Sequence, residues 1–401
     1  MHTALSPEFA NSARGRRAGE ILRKCVHCGF CNAACPTYQL LGDELDGPRG
    51  RIYQMKQFFE GAAAGDAMRL HLDRCLLCRS CETACPSGVQ YGELLEIGRA
   101  ELEEKLPRRA PVRAWRVLLG RVFSSRKFFS ALMRVARACK WALPKKTARM
   151  IPAAQSPTSP APARAPHERK MLALAGCVQP ALSAGANPAA ARVLDQLGIT
   201  LFEEPAAGCC GAVQLHTSDL ARGKAAARAL MDRWLPHLEH IEAVVMTASG
   251  CGLTIKEYPL LFADEPEYAE KARRIADKTL DLCEVVAREL PRDWTPRAAP
   301  KRVAFHAPCT LQHGQRISGV IEELLRRAGH EVCEVRGAHL CCGSAGTYSL
   351  LQPEIAARLR RDKLAALGAG RPQVICTANV GCQNHLAAGA DIPVVHWIEL
   401  L

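Results

Sequence analysis

Two twelve-residue stretches, CVHCGFCNAACP from Cys25 and CLLCRSCETACP from Cys75, set eight thiols on one repeated pattern. Three cysteines in seven residues, C-x-x-C-x-x-C, wrap a short loop around three corners of an iron–sulfide cube. The fourth, followed by proline, reaches the neighbouring cluster. On that rule one [4Fe-4S] cluster takes Cys25, Cys28, Cys31 and Cys85, and a second takes Cys75, Cys78, Cys81 and Cys35. Pro36 and Pro86 fix the backbone as it leaves each loop. Paired zinc sites are the competing reading. They join two C-x-x-C knuckles across a longer gap and need neither a third close cysteine nor a fourth before proline. An oxidised cluster with its thiolates carries about −2, so Lys24, Arg49, Arg74 and Arg79 are the candidate neutralising cations. Two one-electron centres on shared loops make a relay, not a catalytic site, and no nucleophile–base arrangement accompanies them.

Eight further cysteines fall into a second repeat. Cys177 to Cys209 spans 32 positions, as does Cys309 to Cys341; Cys209 to Cys251 spans 42 and Cys341 to Cys382 spans 41. Each half alternates short apolar runs (MLALAGC, RVAFHAPC) with amphipathic helical runs (AAARVLDQLG, VIEELLRRAG), which predicts strands of a mainly parallel sheet. Ligand groups of such sheets gather at the carboxyl ends of the strands. Every repeated cysteine follows a predicted strand. Cys177, Cys209, Cys210 and Cys251 are therefore expected on one edge, and Cys309, Cys341, Cys342 and Cys382 on another. No G-x-G-x-x-G follows a strand, so the chain lacks a dinucleotide fingerprint.

These sites need several separate elements to hold them. The cysteine motifs occupy residues 1–104, where a turn at Pro48 and Gly50 predicts a helix from about Arg51 and a helical two-cluster ferredoxin domain. Residues 105–150 form a basic segment with an amphipathic face of Trp115, Leu118, Leu119 and Val122. Residues 151–168 read as a stiff Pro/Ala-rich linker. The two repeated halves occupy 169–295 and 296–401. The fold class is therefore α+β and multidomain: the helical ferredoxin domain, then two duplicated α/β domains. Fifteen of the 53 lysines and arginines lie between Lys105 and Arg164, where there is no acidic residue, and the remaining 38 face 40 Asp and Glu. The excess of +13 is thus one docking segment, and nucleic-acid binding is not expected. That segment packs on its own domains or on a partner, or lies on an anionic membrane surface.

With 48% hydrophobic and 23% charged residues the composition is that of a globular protein. No apolar run reaches the roughly 18 residues of a membrane span. The N-terminus has no secretory signal, so the 20 cysteines are expected in a reducing compartment, where clustered thiols serve metals or redox chemistry. Cys139, Cys283, Cys333 and Cys376 stand outside both repeats and read as buried or incidental thiols, since a free cysteine behaves as a small hydrophobe. His306 and His313 flank Cys309; each is either a ligand or proton shuttle, or more plainly a satisfied structural histidine.

CVHCGFCNAACPTYQLLGDELDGPRGRIYQMKQ, HLDRCLLCRSCETACPSGVQYGELLE and the two CCG segments together resemble the iron–sulfur subunits of glycolate oxidase over nearly the whole chain outside the linker. The order also resembles the iron–sulfur subunit of anaerobic glycerol-3-phosphate dehydrogenase and, more distantly, heterodisulfide reductase subunits; ELDGPRGR favours the first. The resemblance implies FAD-containing partner subunits that oxidise glycolate, or a related 2-hydroxy acid such as D-lactate. It implies electron transfer through this chain to a membrane quinone or similar acceptor. The location implied is cytoplasmic, or peripheral on the cytoplasmic face of the inner membrane. Both CCG halves depart from the C-x-x-C ending of the heterodisulfide reductase type, with Thr254 and His385 in place of the last cysteine. The four remaining cysteines of each half either hold a further Fe–S cluster or stay as thiols, and a disulfide reductase activity is put in doubt.

Overall fold

In a computed structural model the described residues are 1–142, 144, 148, 151, 152, 166–291, 294 and 299–401. The linker expected at 151–168 falls largely on residues outside this set, as does the boundary expected at 295–296. All 20 cysteines are free thiols.

The N-terminal unit is helical. Helices Ala13–Lys24, Pro48–Phe59, Asp66–Asp73 and Tyr91–Lys105 enclose one core of Ile21, Leu22, Ile52, Met55, Leu94 and Leu95. Each such side chain, fully buried, stabilises the unit by about 1.5–3 kcal/mol. The helix expected from Arg51 begins at Pro48, whose ring pre-sets the first helical φ. Gly50 lies inside its first turn rather than in a preceding bend.

The C-terminal part holds two four-stranded sheets, parallel throughout. The first contains β1 (Arg169–Ala173), β2 (Ile199–Glu203), β3 (Ala243–Met246) and β4 (Thr279–Asp281), in the order β2-β1-β3-β4. The second contains β5 (Arg302–His306), β6 (Glu331–Val332), β7 (Val374–Thr377) and β8 (Val394–His396), in the same relative order. The predicted duplication is therefore a duplication of topology. Strand order reverses beside β1 and beside β5, which opens a crevice at the carboxyl ends of the strands.

The halves share one core, because Met171 and Val245 of the first sheet pack with Val303, Phe305 and Cys376 of the second. The opposite face of the first sheet carries Leu172, Val244 and Met246 against Leu230, Trp234 and Phe262. With both faces covered, the strands read as near-continuous apolar runs rather than alternating ones.

The basic segment is two helices, Ala110–Ser124 and Arg126–Ala138. They part at Ser125, whose extended backbone and side chain cap the second helix. The expected single face is divided: Leu119 is buried and Val122 partly so, while Trp115 and Leu118 are each 50% exposed. Arg108 and Arg116 pair with Asp73 of the helical unit, and Phe129 and Met133 pack on Val178 and Ala181 of the first half. The segment thus clamps the two units together.

Candidate iron–sulfur and thiol sites

The two cysteine loops are superposable in conformation as well as in sequence. His27 and Gly29 in the first loop, and Leu77 and Arg79 at the equivalent places in the second, all have positive φ, between 53° and 87°. Three of the four are not glycine, and left-handed backbone is held against a cost of about 1–3 kcal/mol at such residues. What the loop gains is inward-facing N–H groups: the Leu77 amide donates to Cys75 Sγ at 3.4 Å.

The thiols gather across the loops. Burial first, then the neighbouring Cys25, Cys28 and Cys85, push the Cys31 thiol up to about 11. Cys25 is raised by burial and by Cys85 and Cys28. Burial holds Cys81 well above the ordinary thiol range, with Cys78, Cys75 and Cys35 adding to it. Cys35 is raised by burial and by Cys78, against the opposing pull of Arg51. The proximities thus define two sets, Cys25/Cys28/Cys31/Cys85 and Cys35/Cys75/Cys78/Cys81. The first lines a pocket closed by Gly29, Phe30 and Pro86. Four crowded thiols repel one another once ionised, and a cationic iron centre relieves that repulsion; the donor sets suit [4Fe-4S] clusters.

The polar surroundings of the second set were not foreseen from sequence. Thr37 Oγ1 lies 3.2 Å from Cys35 Sγ, and Tyr91 Oη donates to Cys75 Sγ at 3.5 Å. Arg51 is fully buried in the field of Cys75 and Cys35. It donates to Thr37 Oγ1 at 3.1 Å, to the His71 carbonyl at 2.7 Å and to Asp46 at 3.3 Å. Asp46, itself buried, also takes Arg74 at 2.8 Å and His71 at 3.0 Å. Of the cations expected beside the clusters, Arg49 lines the pocket of the first set while pairing with Glu44; Arg74 pairs with Asp46, Arg79 with Glu257, and Lys24 donates to Gln90. The residue missed, Arg51, sits among Ile52, Met55, Phe58 and Phe59 on a helix face that is otherwise apolar. A charge on such a face is the available sequence clue.

In the duplicated halves the repeated cysteines do meet at the carboxyl ends of the strands. Cys177 follows β1, Cys209 and Cys210 follow β2, and Cys251 opens the helix Ser249–Lys256 after β3. Cys209 Sγ is 3.5 Å from Cys177 Sγ, and Cys210 touches Cys209 and Cys251. In the second half the sulfurs run Cys309–Cys341–Cys342–Cys382, and Cys309 also meets Cys78 of the helical unit. A row of sulfur atoms therefore crosses the domain junction on the second half.

Sulfur contacts from Cys209 and Cys251 hold Cys210 well below the ordinary thiol range, and contacts from Cys309 and Cys342 do the same for Cys341. The Gly343 amide donates to Cys341 Sγ and the Gly211 amide to Cys209 Sγ, both at 3.4 Å. These CCG glycines have φ of +91° and +86°, and a Cβ would stand 2.8 Å from the Ala356 carbonyl or 2.6 Å from that of Gly223. Glycine is required there both by conformation and by the approach of the next helix.

The remaining candidates divide. His313 is structural, bridging Thr83 Oγ1 at 3.0 Å and the His339 carbonyl at 2.9 Å. His306 is half-satisfied: Nδ1 meets Thr377 Oγ1 at 3.0 Å, while the buried Nε2 has no partner among the described residues. Burial drives this ring down to about 3, so it is neutral. His385 Nε2 lies 3.3 Å from the Ala356 carbonyl. Cys283 and Cys376 are buried core thiols, Cys333 is partly buried and Cys139 is exposed.

Comparison with known proteins agrees with this layout. A family described as "4Fe-4S dicluster domain" matches residues 21–89, and one described as "Cysteine-rich domain" matches 171–256 and 303–387. The chain is 48% identical to the glycolate oxidase iron-sulfur subunit of Escherichia coli over all of this chain and 98% of that protein. It is 30% identical to a probable glycolate oxidase iron-sulfur subunit of Bacillus subtilis, over 96% of this chain and 94% of that one. Lactate utilization protein A of Bacillus velezensis is 29% identical over 56% of this chain and 95% of its own length.

Proposed function

The chain belongs to the family of glycolate oxidase iron–sulfur subunits, and from that premise we propose that it carries electrons from FAD-containing partner subunits to a membrane quinone or similar acceptor. Oxidation of glycolate to glyoxylate releases two electrons and two protons. On this reading the partner's flavin takes the pair and this chain passes it on singly. Two [4Fe-4S] clusters, one on each cysteine set, supply the one-electron steps that suit a two-electron donor.

The observation that carries the proposal is the pair of interleaved thiol sets, the second in contact with Cys309 of the repeated half. The surroundings give the relay a direction. Cys28 is exposed, and Val26 and Phe30 beside it are 65% and 64% exposed. That apolar rim suits the docking of a partner at the first set. The second set, held by Arg51, faces inward to the repeated halves.

Anaerobically purified chain is expected to contain roughly eight iron and eight labile sulfide, or more where the repeated halves also fill. Alone it should not oxidise glycolate; mixed with the flavoprotein subunits it should support glycolate-dependent reduction of a quinone analogue. Stoichiometric zinc without sulfide, or the same quinone rate with the chain left out, would count against the reading.

We propose further that the basic helices touch an anionic membrane surface. No helix among the described residues is long and apolar enough to cross a membrane. Phe128, Val135 and Trp141 are 70%, 61% and 88% exposed, and they alternate with exposed Arg126, Lys127, Arg134 and Lys140. A cation near such a surface contributes about 1 kcal/mol. Replacing Arg126, Lys127 and Arg134 by glutamine is therefore expected to weaken co-sedimentation with phosphatidylserine vesicles on the order of a hundredfold. Unchanged vesicle binding with lost flavoprotein binding would instead mark a partner surface.

A further inference from the structure

The second repeated half contains a polar constellation that its twin lacks. The ligand atoms of His306, Cys342 and Cys382 lie within 4.8 Å of one another, and all three residues are buried. Two apolar residues stand at the equivalent places of the first half. Counting back from the matched cysteines, Leu174 replaces His306 and Met246 replaces Thr377, and both belong to the apolar core behind the first sheet. The ring and the hydroxyl that orients it are thus present together in one half and absent together from the other.

We propose that the second half holds a metal centre through His306 Nε2 and the sulfurs of Cys342 and Cys382, and that the first half has no such nitrogen-ligated site. His306 is 1% exposed, and its Nε2 is a buried polar atom with no hydrogen-bond partner among the described residues. Leaving such an atom unpaired is destabilising, so an empty orientation of this kind points to a missing partner. The other ring nitrogen is held by Thr377 Oγ1 at 3.0 Å. That outer hydrogen bond fixes ring orientation, and it is the usual companion of a metal-bound imidazole. Asn379 Nδ2 supports Cys382 Sγ in the same way at 3.4 Å.

The donor set selects the chemistry. Imidazole with thiolates suits zinc, or an iron atom of a cluster, and does not suit calcium or magnesium. Zinc–ligand bonds of about 2.0–2.3 Å set neighbouring donors roughly 3.5–4 Å apart, so only a small inward movement closes the site. Cys341 touches Cys342 but is not one of the three donors that lie within 4.8 Å of one another, so the fourth position of the shell is left open. The other cluster of potential ligands, Asp43, Asp46 and His71, carries no such proposal, because Arg51 and Arg74 already neutralise Asp46.

The test uses the full-length chain purified anaerobically, with zinc, iron and labile sulfide counted per chain. Wild type is expected to hold metal beyond the roughly eight irons of the two cysteine loops: about one zinc, or about four further irons with sulfide. His306→Leu, which installs the residue of the first half, should lose that surplus and keep the rest. His306→Cys, a replacement donor, should retain it. A wild type without surplus metal, or His306→Leu with the wild-type surplus, overturns the inference. Should His306→Leu fail to fold, wild type decides. Zinc-edge X-ray absorption, or nitrogen hyperfine coupling in pulsed paramagnetic resonance of a reduced cluster, should show imidazole nitrogen, and an all-sulfur shell refutes it. Loss of the loop iron with the surplus retained would instead sink the electron-transfer proposal and leave this one standing.

Discussion

Replacing Cys85 by serine is expected to empty the loop of Cys25 and leave its own neighbours, Cys75, Cys78 and Cys81, with their iron. The reason is the crossing of the fourth ligands. Cys85 lies in the field of Cys25 and Cys31, whereas Cys35 lies in that of Cys81. Simple loss of iron in one variant does not say which cluster went. A double-variant series does. Cys28→Ser should leave roughly four loop irons per chain, and adding Cys85→Ser should remove no more, because both act on one cluster. Cys78→Ser combined with Cys85→Ser should remove nearly all loop iron. Iron and sulfide analysis with paramagnetic resonance of the reduced chain checks both numbers. If Cys28→Ser with Cys85→Ser is the pair that empties the loops, each loop keeps its own fourth cysteine and the interleaving is wrong.

Asp46→Ala is expected to lower the stability of the metal-free chain by about 3–5 kcal/mol. The carboxylate has no exposed surface and gathers Arg51, Arg74 and His71. Its removal strands the Arg51 guanidinium, which is 1% exposed and has no route to water. The loss should be smaller in the loaded protein. There Arg51 also faces Cys75 and Cys35, whose sulfurs carry negative charge once ligated. A control removes both charges at once: Asp46→Leu with Arg51→Met should recover much of the lost stability, since replacing a whole buried pair is far milder than breaking it. Arg51→Met alone should shift the second cluster to a more negative potential, because a cation beside the reduced, more anionic centre has gone. Urea titration and redox titration read the two effects separately. Equal losses for Asp46→Ala and the double variant would show that the network acts by shape alone.

Much of this architecture is legible from spacing. The eight loop cysteines, the duplicated halves and the helices before and after each CCG turn are local patterns. Periodicity reports local backbone geometry directly. The parallel sense of the sheets is legible too, because a cysteine after each apolar run implies a parallel sheet with its ligands at one edge; the order of the strands is not. What spacing does not carry is contact between distant segments. Arg79 meets Glu257 and Thr83 meets His313, pairings that only packing of the helical unit against both halves creates. Arg51 is not legible from the Pro48 start of its helix, because its role depends on which face of that helix is buried. The glycine and scattered serines of the basic segment already speak against one long helix, but not for a break at Ser125 in particular, since a serine that caps one helix looks like any polar residue within a longer one.

The helical unit is fastened at several points. Arg79 binds Glu257 in the first half, Tyr348 Oη of the second donates to the Arg74 carbonyl at 2.8 Å, and Arg358 donates to the Leu40 carbonyl at 3.2 Å. Among the described residues the junction is therefore fastened rather than hinged, and the cysteine loops are held in place between a donor and an acceptor. Traffic across it is set by fixed separation through solid protein rather than by the chance of encounter, in the manner of a soldered joint and not of a shuttle.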